Sequence, residues 1–206
     1  LIKRTEKAHW PECLKKKGAL QEFWKYLNLL LDRFKGPKLI ENRVLLKGIA
    51  IALGKDGALW PCEHIYSADA ETVSLFESID SNIPFLSECI DDNSFLKDIC
   101  PRFNLSVAID YLERIDHDQL NTAWKEKRFD IKQLFIWLEN HKSELLQNDK
   151  LKKRLGNIPI FPSTDELRTI DMLALPGNFE DPIGIASVVD LKELGGMRDF
   201  LKKLGM

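Results

Sequence analysis

The sequence predicts an α+β fold, predominantly helical, built as two similar helix–β-hairpin–helix units in tandem. Three observations predict it. Apolar residues recur at spacings of three and four over most of the chain; two alternating apolar runs flank turn-forming clusters; and both patterns return about half a chain length later.

Residues 19–34 place Leu20, Phe23, Trp24, Leu27, Leu30 or Leu31 and Phe34 on one helical stripe, and Gly36-Pro37 stops that helix. Ile49–Leu53, the turn Gly54-Lys55-Asp56-Gly57 and the run Ala58–Tyr66 read as a β-hairpin. Pro61 cannot donate a ladder hydrogen bond, so the second strand is an edge strand or is bulged. Asp69 caps a helix reaching about Ile79. A short helical stretch follows Pro84, and Asn93-Ser94 opens another over Phe95–Cys100. Asn104 or Ser106 caps a helix with the stripe Ala108, Tyr111, Leu112, Ile115, and residues 117–127 form a further short helix containing Trp124. Asp130, with Gln133 at the capping-box position, opens the clearest helix, its stripe being Ile131, Leu134, Phe135 and Leu138. Gly156 ends the helical region. Ile158–Pro162, the turn Ser163–Glu166 and Leu167–Leu175 read as a second hairpin. In Asp190–Leu204, two adjacent interior glycines, Gly195 and Gly196, would cost about 2 kcal/mol in one helix, so two short helices are predicted.

The two hairpins align. Ile49, Ile51 and Asp56 precede Ile158, Ile160 and Asp165 by 109 residues, and Leu59 and Ile65 precede Leu167 and Leu173 by 108. Phe95–Cys100 precedes Phe200–Gly205 by 105, while Trp10 and Trp24 precede Trp124 and Trp137 by 114 and 113. Offsets that change only where loops absorb insertions are the pattern of a duplication, and its period exceeds that of thin solenoid repeats. The units are placed at 1–103 and 104–206, with separate folding or one continuous core both open. The second unit stops where the next helix of the first would begin, and the chain opens without Met. A piece of a longer array is therefore expected, its last helix truncated.

Composition is globular: 44% of the 206 residues are hydrophobic and 30% charged, at a net charge of −2. That balance argues against a general nucleic-acid binder, which needs a concentrated basic face; Lys15–Lys17 and Lys150–Arg154 are the local basic clusters. No apolar run approaches the ~18–20 residues that span a bilayer, so no membrane partner and a soluble chain are expected. Cys13, Cys62, Cys89 and Cys100 are scattered without a CxxC pair in a chain long enough to build a core, which reads as free thiols in a cytoplasmic protein.

The run Ile158-Pro-Ile-Phe-Pro-Ser-Thr-Asp165 with Leu167-Arg168, and Phe200-Leu-Lys-Lys-Leu-Gly205 downstream, carries a resemblance. So does Leu53-Gly-Lys-Asp-Gly57 with Leu59-Trp60-Pro61. A strand, a Ser/Thr-x-Asp-Gly-type turn, a strand and a Phe-Leu-x-x-Leu-Gly helix resemble the repeat regions of large sacsin-like proteins. The second hairpin departs from that pattern, with Glu166 in place of glycine. The resemblance implies a chaperone-related or scaffolding context, with an ATPase domain of the ninety-kilodalton heat-shock chaperone type elsewhere in the parent chain. The Asp-x-Gly-x-Gly segment of such ATPases is missing here, so the resemblance brings no catalytic residue.

Tested for chemistry, the chain offers little. It has no phosphate-cradling glycine loop, and Gly54–Gly57 lies in a hairpin rather than between a strand and a helix. Cys62 and His64, two apart on the expected strand, would share a face, but zinc needs three or four ligands and no second close pair exists. Four histidines, His9, His64, His117 and His141, give only arbitrary triads without a nucleophile elbow. Asp91-Asp92 and Asp116/Asp118 sit where acidic residues cap helices. Trp10, Trp24, Trp124 and Trp137 lie on helical stripes and read as core. Trp60 has Arg168 as its counterpart, and Trp60 with Tyr66 on an exposed strand suits an extended peptide added at the sheet edge.

The leading reading is a non-catalytic interaction or scaffold module of a larger intracellular, ATPase-coupled, chaperone-like protein. It would need no metal or cofactor, and its partner would be a protein, a peptide or another domain of the parent. The alternatives are an enzyme site assembled from scattered residues near Cys62 and His64, and a nucleic-acid binder using the local basic patches.

Overall fold

The computed structural model describes residues 17–34, 36–87, 94–176 and 187–206. Trp10, His9, Cys13, Lys15, Lys16, Cys89, Asp91 and Asp92 lie outside the described residues. The chain divides into two compact units, Leu1–Val73 with Asn82–Phe103, and Ser74–Ser81 with Asn104–Met206. This differs from a single cut after residue 103 in that Ser74–Ser81 groups with the later residues. The class is α+β and predominantly helical, with two small antiparallel sheets.

In the first unit, α1 (Lys17–Leu31) buries Trp24, Leu27 and Leu31, three positions of one stripe. The Trp24 indole Nε1 donates to Ile51 O at 2.8 Å, so helix and hairpin are joined by a buried hydrogen bond as well as by packing. The second helix, α2 (Pro37–Lys47), was not evident from apolar spacing. Gly36-Pro37 ends one helix and also begins the next: Pro37 takes the first helical position, where its missing N–H costs nothing. Strands β1 (Ala50–Leu53) and β2 (Leu59–Pro61) pair antiparallel, Ala52 opposite Trp60 and Leu53 opposite Leu59. The expected run to Tyr66 is broken by a 3-10 turn, Cys62–His64, so the strand is three residues long. The stretch expected to be helical after Pro84 is described only to residue 87, its remainder lying outside the described residues, and residues 84–87 are not helical. Leu86 N donates to Tyr66 O (3.0 Å) and Ser87 N to Leu53 O (2.9 Å), placing an extended segment beside the hairpin. Burial of Phe85 edge-to-face on Phe103, at 5.1 Å, secures that segment against its local helical pattern. Asp69 opens α3 (Ala70–Ile79), accepting from Thr72 N at 2.8 Å and Thr72 Oγ1 at 2.9 Å. α4 (Ser94–Ile99) follows, burying Leu96 and Ile99.

In the second unit, Asn104 caps α5 (Leu105–Arg114), Asp116 caps α6 (His117–Lys125) and Asp130 caps α7 (Ile131–Asn140), each through a side-chain oxygen. α8 (Lys142–Gln147) and α9 (Asp149–Gly156) complete the helical region. The second hairpin is shorter than expected: β3 (Phe161–Pro162) pairs with β4 (Leu167–Arg168), and a 3-10 turn, Ile170–Met172, replaces the rest. Prolines at 159 and 162 remove two ladder donors, which limits the pairing. Phe161 and Phe135, both fully buried, pack edge-to-face at 5.4 Å, and Phe76 meets Trp137 at 5.2 Å. Near the end, residues 191–196 form turns rather than a helix, with Gly195 and Gly196 at φ +63° and +86°. Only α10 (Arg198–Leu204) is helical there.

The two hairpins share a backbone hydrogen-bond frame. Ile49 N to Leu46 O, Ile51 N to Ile49 O and Gly54 N to Ala58 O have counterparts in Ile158 N to Leu155 O, Ile160 N to Ile158 O and Ser163 N to Glu166 O. Tyr66 N to Pro84 O, Leu86 N to Tyr66 O and Ser87 N to Leu53 O have counterparts in Ala174 N to Ser187 O, Val189 N to Ala174 O and Asp190 N to Pro162 O. Both hairpins are followed by a 3-10 turn at the same offset, Cys62–His64 and Ile170–Met172.

Within the second unit Arg154 of α9 binds α5. Its Nε and Nη2 reach the Glu113 carboxylate at 2.8 and 2.6 Å, and Nη2 also bonds Asp110. The guanidinium holds the Glu113 carboxyl below the usual glutamate range. A depressed folded value means stability that is full above the unfolded glutamate range and lost as pH falls through the folded one. Acid unfolding curves taken between about pH 5 and 2 are therefore expected to fall more steeply for the native chain than for Glu113→Gln.

Candidate functional site

The residues singled out in the sequence do not converge. Cys62 is fully buried, next to Cys100, and both are free thiols. The contact with Cys100, then burial, pushes the Cys62 thiol far up, so the reactive thiolate is disfavoured there. His64 points outward, its side chain 65% exposed and 3.9 Å from Glu63. The expected shared face fails because the segment is a 3-10 turn. Three residues per turn put positions two apart on different sides, whereas a strand would align them. His117 and His141 are likewise occupied locally, Nε2 lying 3.0 Å from Leu112 O and Nδ1 2.9 Å from Trp137 O. Among the described residues no three His, Cys, Asp or Glu side chains gather in a metal-holding group.

Trp60 and Tyr66 are also separated. Trp60, half-buried on the first unit's core, donates its indole Nε1 to the Asp56 carboxylate at 3.0 and 3.3 Å. Asp56 also accepts from Ala58 N at 3.0 Å, so the pair fastens the turn. Tyr66 lies beyond the 3-10 turn, edge-to-face with Phe103 at 5.6 Å, and residues 84–86 already fill the strand position beside it. Gly54 makes room for the Trp60–Asp56 contact: a Cβ there would stand 3.0 Å from two indole atoms. Gly54→Ala is expected to destabilise the hairpin by about 1–3 kcal/mol, with faster amide exchange at Ala52 and Leu53 as the readout.

Two surfaces escaped sequence reasoning. On α2, Ile40, Val44 and Leu45 face solvent while Leu46 is buried, and Tyr26 and Leu29 do the same on α1. Apolar residues on opposite faces of one helix leave no single stripe to read.

The second surface is a cleft in the second unit, of about 510 Å³. One wall is the α6–α7 junction, with Trp124, Lys125, Lys127, Phe129 and Ile131; the other carries Thr164 and Asp165 of the hairpin turn and Glu193. Phe129 and Ile131 are buried and form an apolar floor. The walls are braced. Asn121 Oδ1 accepts from Leu167 N at 3.0 Å, Ser163 Oγ donates to Glu166 O at 2.7 Å, and Asp190 accepts from the backbone of Lys192 and Glu193. Its charges are divided: the α6–α7 wall presents Lys125 and Lys127, the facing residues present Asp165 and Glu193. Asp130, also in the lining, is engaged as the α7 cap.

Comparison with family models, curated proteins and solved structures finds no match to this chain. Among the described residues no helix is long and apolar enough to cross a membrane.

Proposed function

We propose that the chain is a non-catalytic interaction module, a tandem pair of one helix–hairpin–helix unit within a larger, cytoplasmic, chaperone-like protein of the sacsin-like type. The observation that carries the reading is the backbone frame: six hydrogen bonds in the first hairpin have counterparts in the second, in the same order. Recurrence of a whole frame supports duplication of a scaffold unit, and repeated units commonly present binding surfaces rather than a single catalytic centre. The free, buried thiols of Cys62 and Cys100 support a reducing compartment. The chain's ATPase-coupled context rests on the resemblance alone.

The test is an array of unstructured peptides probed with the full 206-residue chain. Saturable, reversible binding with every peptide recovered chemically intact is expected. Turnover of bound peptides, or failure to bind any of them, overturns the proposal.

A further inference from the structure

The cleft of the second unit has features that packing alone does not require. α6 ends in a Schellman motif: Arg128 N donates to Ala123 O and Lys127 N to Trp124 O, which forces Lys127 into the left-handed region at φ +58°. Glycine is the residue that adopts this conformation without penalty, and Gly205 supplies it at the end of α10. Lys127 is the one non-glycine residue with positive φ among those described. A side chain kept where glycine would be more stable, at the lip of a cleft, fits a demand set by what occupies that cleft.

The charges lead the same way. Arg128 pairs with Glu126 at 2.6 Å, yet among the described residues the neighbouring Lys125 and Lys127 make no ion pair, and neither do Asp165 and Glu193. Two exposed ammonium groups and three exposed carboxylates line one cavity over an apolar floor, and one of the carboxylates, Asp130, is turned to the backbone N–H of Lys132. Its volume lies within the range of sites that enclose small ligands or short peptide segments. A ligand of one charge sign would satisfy one wall and be repelled by the other; a dipolar ligand satisfies both.

We propose that this cleft binds an extended peptide segment carrying an acidic side chain, an apolar side chain and a basic side chain in series. Lys125 and Lys127 take the acid, the Trp124–Phe129–Ile131 floor takes the apolar group, and Asp165 and Glu193 take the base. The assignment rests on the interaction-module reading and adds to it the site and the chemistry of the partner.

The probe is a fluorescent seven-residue peptide, blocked at both ends, with one Glu, a central Leu and one Lys in a glycine–serine background. Controls are an all-neutral peptide and one carrying two Glu, each titrated by anisotropy against the full chain. The dipolar peptide is expected to bind at least tenfold more tightly than either control. Lys127→Gly is expected to weaken it about tenfold while slowing amide exchange at the C-terminal end of α6 about fivefold, a combination a purely structural role does not produce. Lys127→Glu is expected to lose the dipolar peptide and to recover affinity when the peptide's Glu is replaced by Lys. Equal binding of dipolar and neutral peptides, or unchanged affinity in both Lys127 variants, overturns the cleft assignment. If array peptides still bind in that case, the interaction-module reading survives; if none bind, it falls as well.

Discussion

Trp24→Ala is expected to destabilise the first unit by about 3–5 kcal/mol, the range for removing a fully buried aromatic side chain. Trp24 is 1% exposed and joins α1 to the hairpin twice, by packing on the core that holds Ile51 and by its hydrogen bond to Ile51 O. Truncation opens a void and leaves a buried carbonyl without that donor. Trp24→Phe keeps most of the ring volume but not the donor, so a loss of about 1–3 kcal/mol is expected, the cost of an orphaned buried acceptor. With two compact units in one chain a single unfolding midpoint is not a well-defined quantity. Amide exchange at Ile51 and Ala52 is the appropriate measurement. Equal protection in the native chain and both variants would show that the helix does not hold the hairpin.

Phe161→Ala is expected to cost the second unit a similar ~3–5 kcal/mol. Its strand is two residues long, so side-chain burial against Phe135 holds it more than ladder hydrogen bonds do. Phe161→Leu, which keeps an apolar side chain of nearly comparable size, is expected to cost less than about 1.5 kcal/mol. The positions of Thr164 and Asp165 depend on the same strand, so Phe161→Ala should also weaken the dipolar peptide. A variant that loses stability without losing affinity would show that the turn is held from elsewhere.

The helices that could be read from sequence carry an apolar stripe, as α1 does, or a capping residue, as Asp69 before α3, or both, as Asn104 before α5 and Asp130 before α7. Local chemistry determines these, and local chemistry is visible in a window of ten residues. α2 lacked the stripe, since Ile40, Val44 and Leu45 point away from Leu46. Residues 84–87 carried a helical pattern overruled by pairing with distant strands, and the 3-10 turn after Pro61 separated Cys62 from His64 and Trp60 from Tyr66. The cleft was illegible for a different reason. Its lining comes from residues 124–131, 164–165 and 193, ordinary surface types whose only distinction is that folding brings them to one place. The positive φ of Lys127 left no trace in composition either.

The recurrence of one hydrogen-bond frame in both hairpins has a kinetic consequence. Because its bonds run between main-chain atoms, a nascent third strand finds the same ladder of donors and acceptors at either hairpin, and strand exchange becomes a route to misfolded or domain-swapped chains. Main-chain identity cannot discriminate, so side chains must. Trp60 tied to Asp56 in one hairpin and Arg168 paired with Glu166 in the other give the two edges different steric and electrostatic signatures. The difference between the hairpins is expected to limit such exchange, so a chain engineered to make both hairpins identical should yield more swapped dimer on refolding than this sequence.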